Sequence, residues 1–234
     1  MNIAIQQAHN LFQTAGFDYV ICGGFALDMF AGKELRTHGD FDITIFKEDK
    51  HRAVQFMQAN GWPVYGRFME DGKILTQYLF YKIDDITNNE WNDCRNMWTI
   101  KPDCLPEMYK IDRLQGEVYS YKPCDWRVET LNFIELEIDI KDETDYIARD
   151  NPRVARSLDK AILYHESIPY LAPEIILFYK TDKFSSEHPQ VRPKTEADFN
   201  AMIPLLSNES KDWLMTAIKT AYPDGFEWLS WLKM

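Results

Sequence analysis

By type and spacing, Asp40 and Asp42 are the residues of this chain best suited to chemistry. They open an apolar run, Asp40-Phe41-Asp42-Ile43-Thr44-Ile45-Phe46. In a strand, side chains alternate between faces, so residues two apart point the same way. Both carboxylates then aim at one spot, with Phe41 turned to the other face. Two carboxylates held that close repel each other unless a cation sits between them. Hard oxygen donors of this kind suit magnesium, which also takes oxygens from substrate phosphates.

Upstream, Tyr19-Val20-Ile21-Cys22 leads into Gly23-Gly24, and a short helical segment, Phe25 to Ala31, ends at Gly32. A helix start presents unpaired backbone N–H groups and the positive end of the dipole. Glycines there let a phosphate approach the backbone closely. A polar loop carrying Arg36 and His38 then connects to the carboxylate pair. Alone, a Gly-Gly marks a turn and an Asp-x-Asp marks a solvated strand end. In this order and spacing they read as a phosphate cradle followed by a metal-binding pair.

Gly23, Gly24, Asp28, Arg36, His38, Asp40 and Asp42 together resemble the nucleotidyltransferase superfamily typified by DNA polymerase beta. They look closest to its aminoglycoside and lincosamide nucleotidyltransferases, with Gly23-Gly24 in place of the polymerase-like Gly-Ser pair. The resemblance implies a nucleotidyltransferase-fold mixed sheet flanked by helices, an α/β (α+β) protein. It implies magnesium, ATP or another nucleoside triphosphate as co-substrate, and a small hydroxyl-bearing acceptor. It also implies a third carboxylate on a central strand. Arg127 to Ile140 is the candidate strand, and Glu129, Leu131, Phe133, Glu135, Glu137 and Asp139 share one face by parity. Trp126-Arg127-Val128-Glu129 resembles the family's strand start. Glu129 is therefore the first choice to join Asp40 and Asp42 in catalysis and metal binding, and Glu137 the second; the family's commonest residue there is Asp.

The resemblance returns near the C-terminus. A helix opened by Pro173-Glu174 and running to Lys180, then Arg192-Pro193-Lys194 and Ala197-Asp198-Phe199, resembles later motifs of the same transferases. Related motifs occur in nucleotidyltransferase toxins of abortive-infection systems. Gly23, Gly24, Arg36 and Lys180 become the candidate triphosphate contacts, the two cations offsetting developing charge. Each has a plainer reading. Arg36 can pair with Asp28 or Asp40, and Lys180 can be a snorkelling helix-end lysine. Asp198 can simply favour a helix dipole, Asp28 can hydrogen-bond the loop after its helix, and His38 can order that loop. Trp91, Trp98, Tyr121 and Trp126 could stack on a base, with core packing the simpler role.

The elements that must position these residues are partly legible. Ile5, Ala8, Leu11, Phe12 and Ala15 share one face of a helix over 2–15, which Gly16 can close. Asp18 to Cys22 and Asp40 to Phe46 are strands, and Asp49 can cap a helix reaching Gln58. Pro63–Met69 and Lys73–Tyr81 flank Glu70-Asp71-Gly72 as a hairpin, and Asn96 to Ile100 is a short strand. In the C-terminal third, Pro173 suits a first helical turn. Further helices start at Arg192 and after Ser207 or Ser210, the last with Trp213, Leu214 and Ile218 inward. The expected organisation is a nucleotidyltransferase domain over 1–150 and a mostly helical region over 151–234, with the site in the cleft between.

Composition narrows the function further. The chain has 234 residues, 45% hydrophobic and 14% aromatic, enough for a sizeable core. A net charge of −11 argues against broad nucleic-acid binding and is compatible with a cationic acceptor. No apolar run approaches the ~20 residues that span a bilayer. Met1 to Gln6 lacks the pattern of a signal peptide, and the four cysteines show no close pairing, so a reduced cytoplasmic setting is expected. Three readings follow: a transferase acting on a small molecule, a toxin-like transferase acting on tRNA or protein, and a degenerate nucleotide-binding member. A basic acceptor groove would favour the second; loss of the carboxylates would favour the third.

Overall fold

The computed structural model describes residues 2–68, 78–83, 94–104, 109–115, 118–123, 127–184 and 192–232. In chain order the helices are α1 (Ile3–Phe12), α2 (Gly23–Ala31), α3 (Lys50–Ala59), α4 (Leu158–Ala161), α5 (Pro173–Phe184), α6 (Arg192–Met202), α7 (Asn208–Ala221) and α8 (Trp228–Trp231). The strands are β1 (Tyr19–Ile21), β2 (Asp42–Phe46), β3 (Val64–Phe68), β4 (Tyr78–Lys82), β5 (Asn96–Ile100), β6 (Tyr109–Gln115), β7 (Val118–Pro123), β8 (Phe133–Lys141), β9 (Asp145–Ile147), β10 (Ala155–Ser157), β11 (Ile162–His165) and β12 (Ile168–Leu171). They form two compact units interleaved along the chain: Met1–Tyr19 with Thr37–Asp139, and Val20–Arg36 with Ile140–Met234. This is the mixed α/β class expected from the sequence. The expected domain line at residue 150 is a different division.

The first unit is built on a mixed sheet. β2 runs parallel to β8, and β8 is antiparallel to β5. Antiparallel pairs then continue through β3, β4, β7 and β6. Ile43, Ile45, Ile134, Leu136 and Met97 are fully buried, which fixes β2, β8 and β5 in the interior. α1 presents Ala4, Ile5, Ala8 and Phe12 to the core, and α3 presents Ala53, Val54 and Met57. Asn2 caps α1 by accepting from the Ala4 N–H at 2.8 Å. Phe12, Phe17, Tyr19 and Phe56 pack into one aromatic cluster of tilted and edge-to-face pairs.

In the second unit Ile21 of β1 pairs in parallel with Tyr170 of β12, and β11 pairs antiparallel with β12. β9 and β10 form a hairpin joined to the end of β8. α2 packs on α5 and α6, and α5 packs on α6 and α7. Ile175, Ile176, Leu177 and Phe178 are all buried, so α5 is enclosed nearly all round, as its continuous apolar run predicts. Ser207 caps α7, its hydroxyl accepting from the Ser210 N–H at 3.1 Å. Among the described residues no helix is long and apolar enough to cross a membrane.

Three differences from expectation matter. The strand expected from Arg127 begins only at Phe133. Before it, the Val128 N–H donates to the His38 carbonyl at 2.9 Å and the Glu129 N–H to the Arg127 carbonyl at 3.1 Å, so this stretch turns rather than extends. α1 is shorter than expected, closing at Gln13 rather than Gly16. The C-terminal third also holds the short strands β10 to β12. The 63–81 hairpin pairs as β3 and β4; its turn, Glu70-Asp71-Gly72, lies outside the described residues.

Candidate active site

Asp42 is the first residue of β2, and Asp40 lies two positions before it. Phe41, between them, is fully buried and anchors the strand start from the opposite face. β8 runs alongside in parallel, in a register that sets Glu135 beside Asp42. The Glu135 N–H donates to the Phe41 carbonyl at 2.8 Å, which locks that register where the carboxylates meet. One oxygen each from Asp40, Asp42 and Glu135 then lies within 4.8 Å of the others, and all three residues are half-buried.

Glu129 was the expected third carboxylate; the fold brings Glu135 instead. Glu129 is exposed in the bend before β8. Glu137, the second choice, is the lateral partner of Thr44, one step further along β2. Parity placed Glu135 on the right face; only the β2–β8 register singles it out. Beyond it, Asp139 accepts from the Thr44 hydroxyl at 3.1 Å, both groups buried.

The donor set suits a hard cation. Oxygens around one magnesium ion at about 2.1 Å lie at most about 4.2 Å apart, a spacing near that of this group. Three carboxylates gathered on one face repel each other, which such an ion offsets.

A second cluster lies in the second unit. The Arg36 guanidinium grips Asp198 with two hydrogen bonds, Nε to Oδ1 at 2.9 Å and an Nη to Oδ2 at 3.2 Å. The Lys180 ammonium reaches the same carboxylate at 2.9 Å. Asp198 and Lys180 are buried. Burial pushes the Asp198 carboxyl up, but the Arg36 hydrogen bonds and the charges of Lys180 and Arg36 outweigh it and hold it below the ordinary range. Asp198 lies 162 positions from Arg36, a separation over which the local sequence carries no pairing signal.

α2 starts at Gly23, whose φ of +61° is the left-handed region that glycine enters without strain. Cys22 before it is extended and gives no side-chain cap, leaving the turn's N–H groups to other acceptors. Asp28 accepts from the Leu35 N–H at 3.0 Å, so it does hydrogen-bond the loop that follows. His38 is buried and its carbonyl holds Val128. Trp98 is buried edge-on against Phe133 at 5.3 Å, a core position. Trp91 and Trp126 lie outside the described residues, as does the Tyr121 side chain.

The family model for aminoglycoside-2''-adenylyltransferase matches residues 4–120. The chain belongs to this family. The match contains Gly23, Gly24, Arg36, Asp40 and Asp42. The fold is similar to the crystal structure of ANT(2'')-Ia in complex with adenylyl-2''-tobramycin, at 13% identity and a TM-score of 0.51, over 93% of this chain and 98% of that one. The crystal structure of the lincosamide antibiotic adenylyltransferase LnuA, lincomycin-bound, is 12% identical with a TM-score of 0.44, over 84% of this chain and 98% of that one. No curated protein sequence matches the chain. Family and fold mark it as a nucleotidyltransferase-type enzyme.

Proposed function

We propose that the chain transfers AMP from ATP to a hydroxyl of a small cationic acceptor of the aminoglycoside kind, in a magnesium-dependent reaction. The observation that carries this reading is the Asp40–Asp42–Glu135 group on β2 and β8, in a chain of this family. Asp40 and Asp42 hold the metal. Glu135 completes the donor set or takes the proton of the acceptor hydroxyl, a general-base role that suits a carboxylate in reach. A bound magnesium ion supplies neutralisation of charge on the phosphoryl oxygens as the hydroxyl attacks and pyrophosphate leaves.

The Gly23-Gly24 backbone receives the outer phosphates at the start of α2. Arg36 and Lys180 contribute positive charge toward the triphosphate. Their shared pairing with Asp198 pre-orients both side chains. In this reading residues 1–150 form the nucleotidyltransferase domain and 151–234 the mostly helical C-terminal region. Among the described residues Cys22, Cys94 and Cys104 enter no disulfide, in keeping with a cytoplasmic enzyme supplied with ATP. The net charge of −11 favours a cationic acceptor over tRNA.

The test is incubation of the purified chain with magnesium and each α-labelled nucleoside triphosphate, against a panel of aminoglycosides, lincosamides, tRNA and proteins. Label passing from ATP to an aminoglycoside is the expected result. Label on tRNA or protein alone would replace the acceptor class. Binding of ATP with no transfer to anything would leave a nucleotide-binding module.

A further inference from the structure

Three neighbouring strands set the carboxylates of the first unit on a grid. Asp42 of β2, Glu135 of β8 and Trp98 of β5 form one row. Thr44, Glu137 and Asn96 form the next. Residues directly opposite each other on paired strands share a face, and diagonal neighbours remain within reach of longer side chains. Asn96 uses both relations. Its amide nitrogen donates straight across to Glu137 Oε1 at 2.9 Å and diagonally to Glu135 Oε1.

The amide orientation follows from chemistry. An NH2 group has two hydrogens, one for each carboxylate, whereas the flipped amide would face two anions with its oxygen. The Asn96 carbonyl oxygen is meanwhile buried with no hydrogen-bond partner among the described residues. A buried, unpaired carbonyl costs stability. This side chain is therefore poorly explained as a strand anchor and well explained by what its NH2 group does.

We propose that Asn96 is a positioning residue for the third carboxylate, holding Glu135 turned to Asp40 and Asp42; this rests on the metal-site reading above. Glu135 and Glu137 stand two apart on one face of β8 and repel each other. A donor shared between them offsets that repulsion and fixes the Glu135 rotamer. A carboxylate has two oxygens with about four lone-pair positions, so an amide on Oε1 is compatible with metal ligation. Groups that orient metal ligands in this way characteristically govern affinity, by about 10–100-fold.

The experiment titrates the purified full chain with Mn2+ as an EPR-visible stand-in for magnesium, and records unfolding midpoints without metal. Asn96→Leu keeps the volume and removes both donors. The expected result is Mn2+ affinity at least about tenfold weaker in a protein that stays folded. Glu137→Gln is expected to bind Mn2+ as wild type does, because Glu137 is outside the carboxylate group. If Asn96→Leu binds like wild type, Asn96 is structural only and the proposal falls. It also falls if Glu137→Gln weakens binding as much as Asn96→Leu, since the amide would then serve Glu137. Should Asn96→Leu fail to fold, Asn96→Ser, which is too short to reach both carboxylates, decides by the same criterion. Wild type that binds Mn2+ no better than Asp42→Asn would instead overturn the metal-site reading, and this inference with it.

Discussion

In the first unit three carboxylates, Asp40, Asp42 and Glu135, gather within 4.8 Å of one another. In the second, the carboxylate of Asp198 lies between Arg36 and Lys180 at 2.9 Å from each. Both clusters join residues far apart in sequence, but their energetics have opposite sign. Like charges brought together cost stability in the absence of a ligand and are retained for what they bind. Opposite charges buried together satisfy each other, and removal of one strands the rest. Neutralising one carboxylate should therefore have opposite consequences in the two clusters.

The largest expected effect is on chemistry. Asp42→Asn should abolish nucleotidyl transfer while leaving the apo protein as stable as wild type, or slightly more so, because the amide keeps the shape and removes one repelling charge. Parallel transfer assays and thermal melts check this; a large loss of apo stability would show that Asp42 is a structural partner after all. Asp198→Asn should do the reverse. With Lys180 buried and the Arg36 side chain 19% exposed, removing their shared anion should destabilise the protein in urea unfolding, by up to about 3–5 kcal/mol. A cost under about 1 kcal/mol would mean that this cluster is no more than a surface pair.

Ligand and pH sharpen the contrast at smaller scale. Magnesium with ATP should raise the melting temperature of wild type. ATP alone should raise it much less, since the carboxylates would meet the phosphates unscreened. Equal shifts with and without magnesium would contradict the carboxylate group as a metal site. The Asp198 carboxyl is held below its ordinary value in the folded state. Its contribution is thus complete above the unfolded value of about 4 and is lost as pH falls from there through the lower folded value. Asp198→Asn should flatten that acid limb of the stability curve; identical limbs in variant and wild type would assign the acid sensitivity elsewhere.

The smallest effect is expected at Glu209, which is 58% exposed, pairs with the 44% exposed Lys160 at 2.8 Å and lies 3.5 Å from Arg156, whose closer partner is Glu174 at 2.7 Å. Glu209→Gln should leave the melting temperature within measurement error, because solvent screens such pairs. A shift rivalling that of Asp198→Asn would show that ion-pair geometry, rather than burial, sets the worth of these contacts.

Much of the local design was legible before any fold was known. Asp40 and Asp42 declare themselves through strand parity, Gly23 through the turn it opens, and Pro173 and Ser207 through the helix ends they suit. Each of these signals lies within a few residues of chain, where backbone geometry decides the outcome. Asp28 bonding its own loop, through Leu35, belongs to the same class. The short strands β10 to β12, three or four residues each, were invisible because such lengths carry too little alternation to read.

Glu135 and Asp198 mark the other side of that line. One face of the 127–140 stretch carries four acidic residues, Glu129, Glu135, Glu137 and Asp139, and nothing local distinguishes Glu135 among them. The β2–β8 register does, since a shift of two residues would set Phe133 or Glu137 beside Asp42 instead. Likewise, a helical aspartate near a C-terminus has no reason of its own to meet an arginine 162 positions away. The packing of α2 on α5 and α6 provides that reason. The amino-acid sequence by itself determined which residues can do chemistry and which local elements carry them, because propensity and periodicity act over single turns and strands. Which carboxylate completes the group, and which charges meet across the chain, only strand register and helix packing decided, because those are long-range contacts in which many local segments compete for the same place.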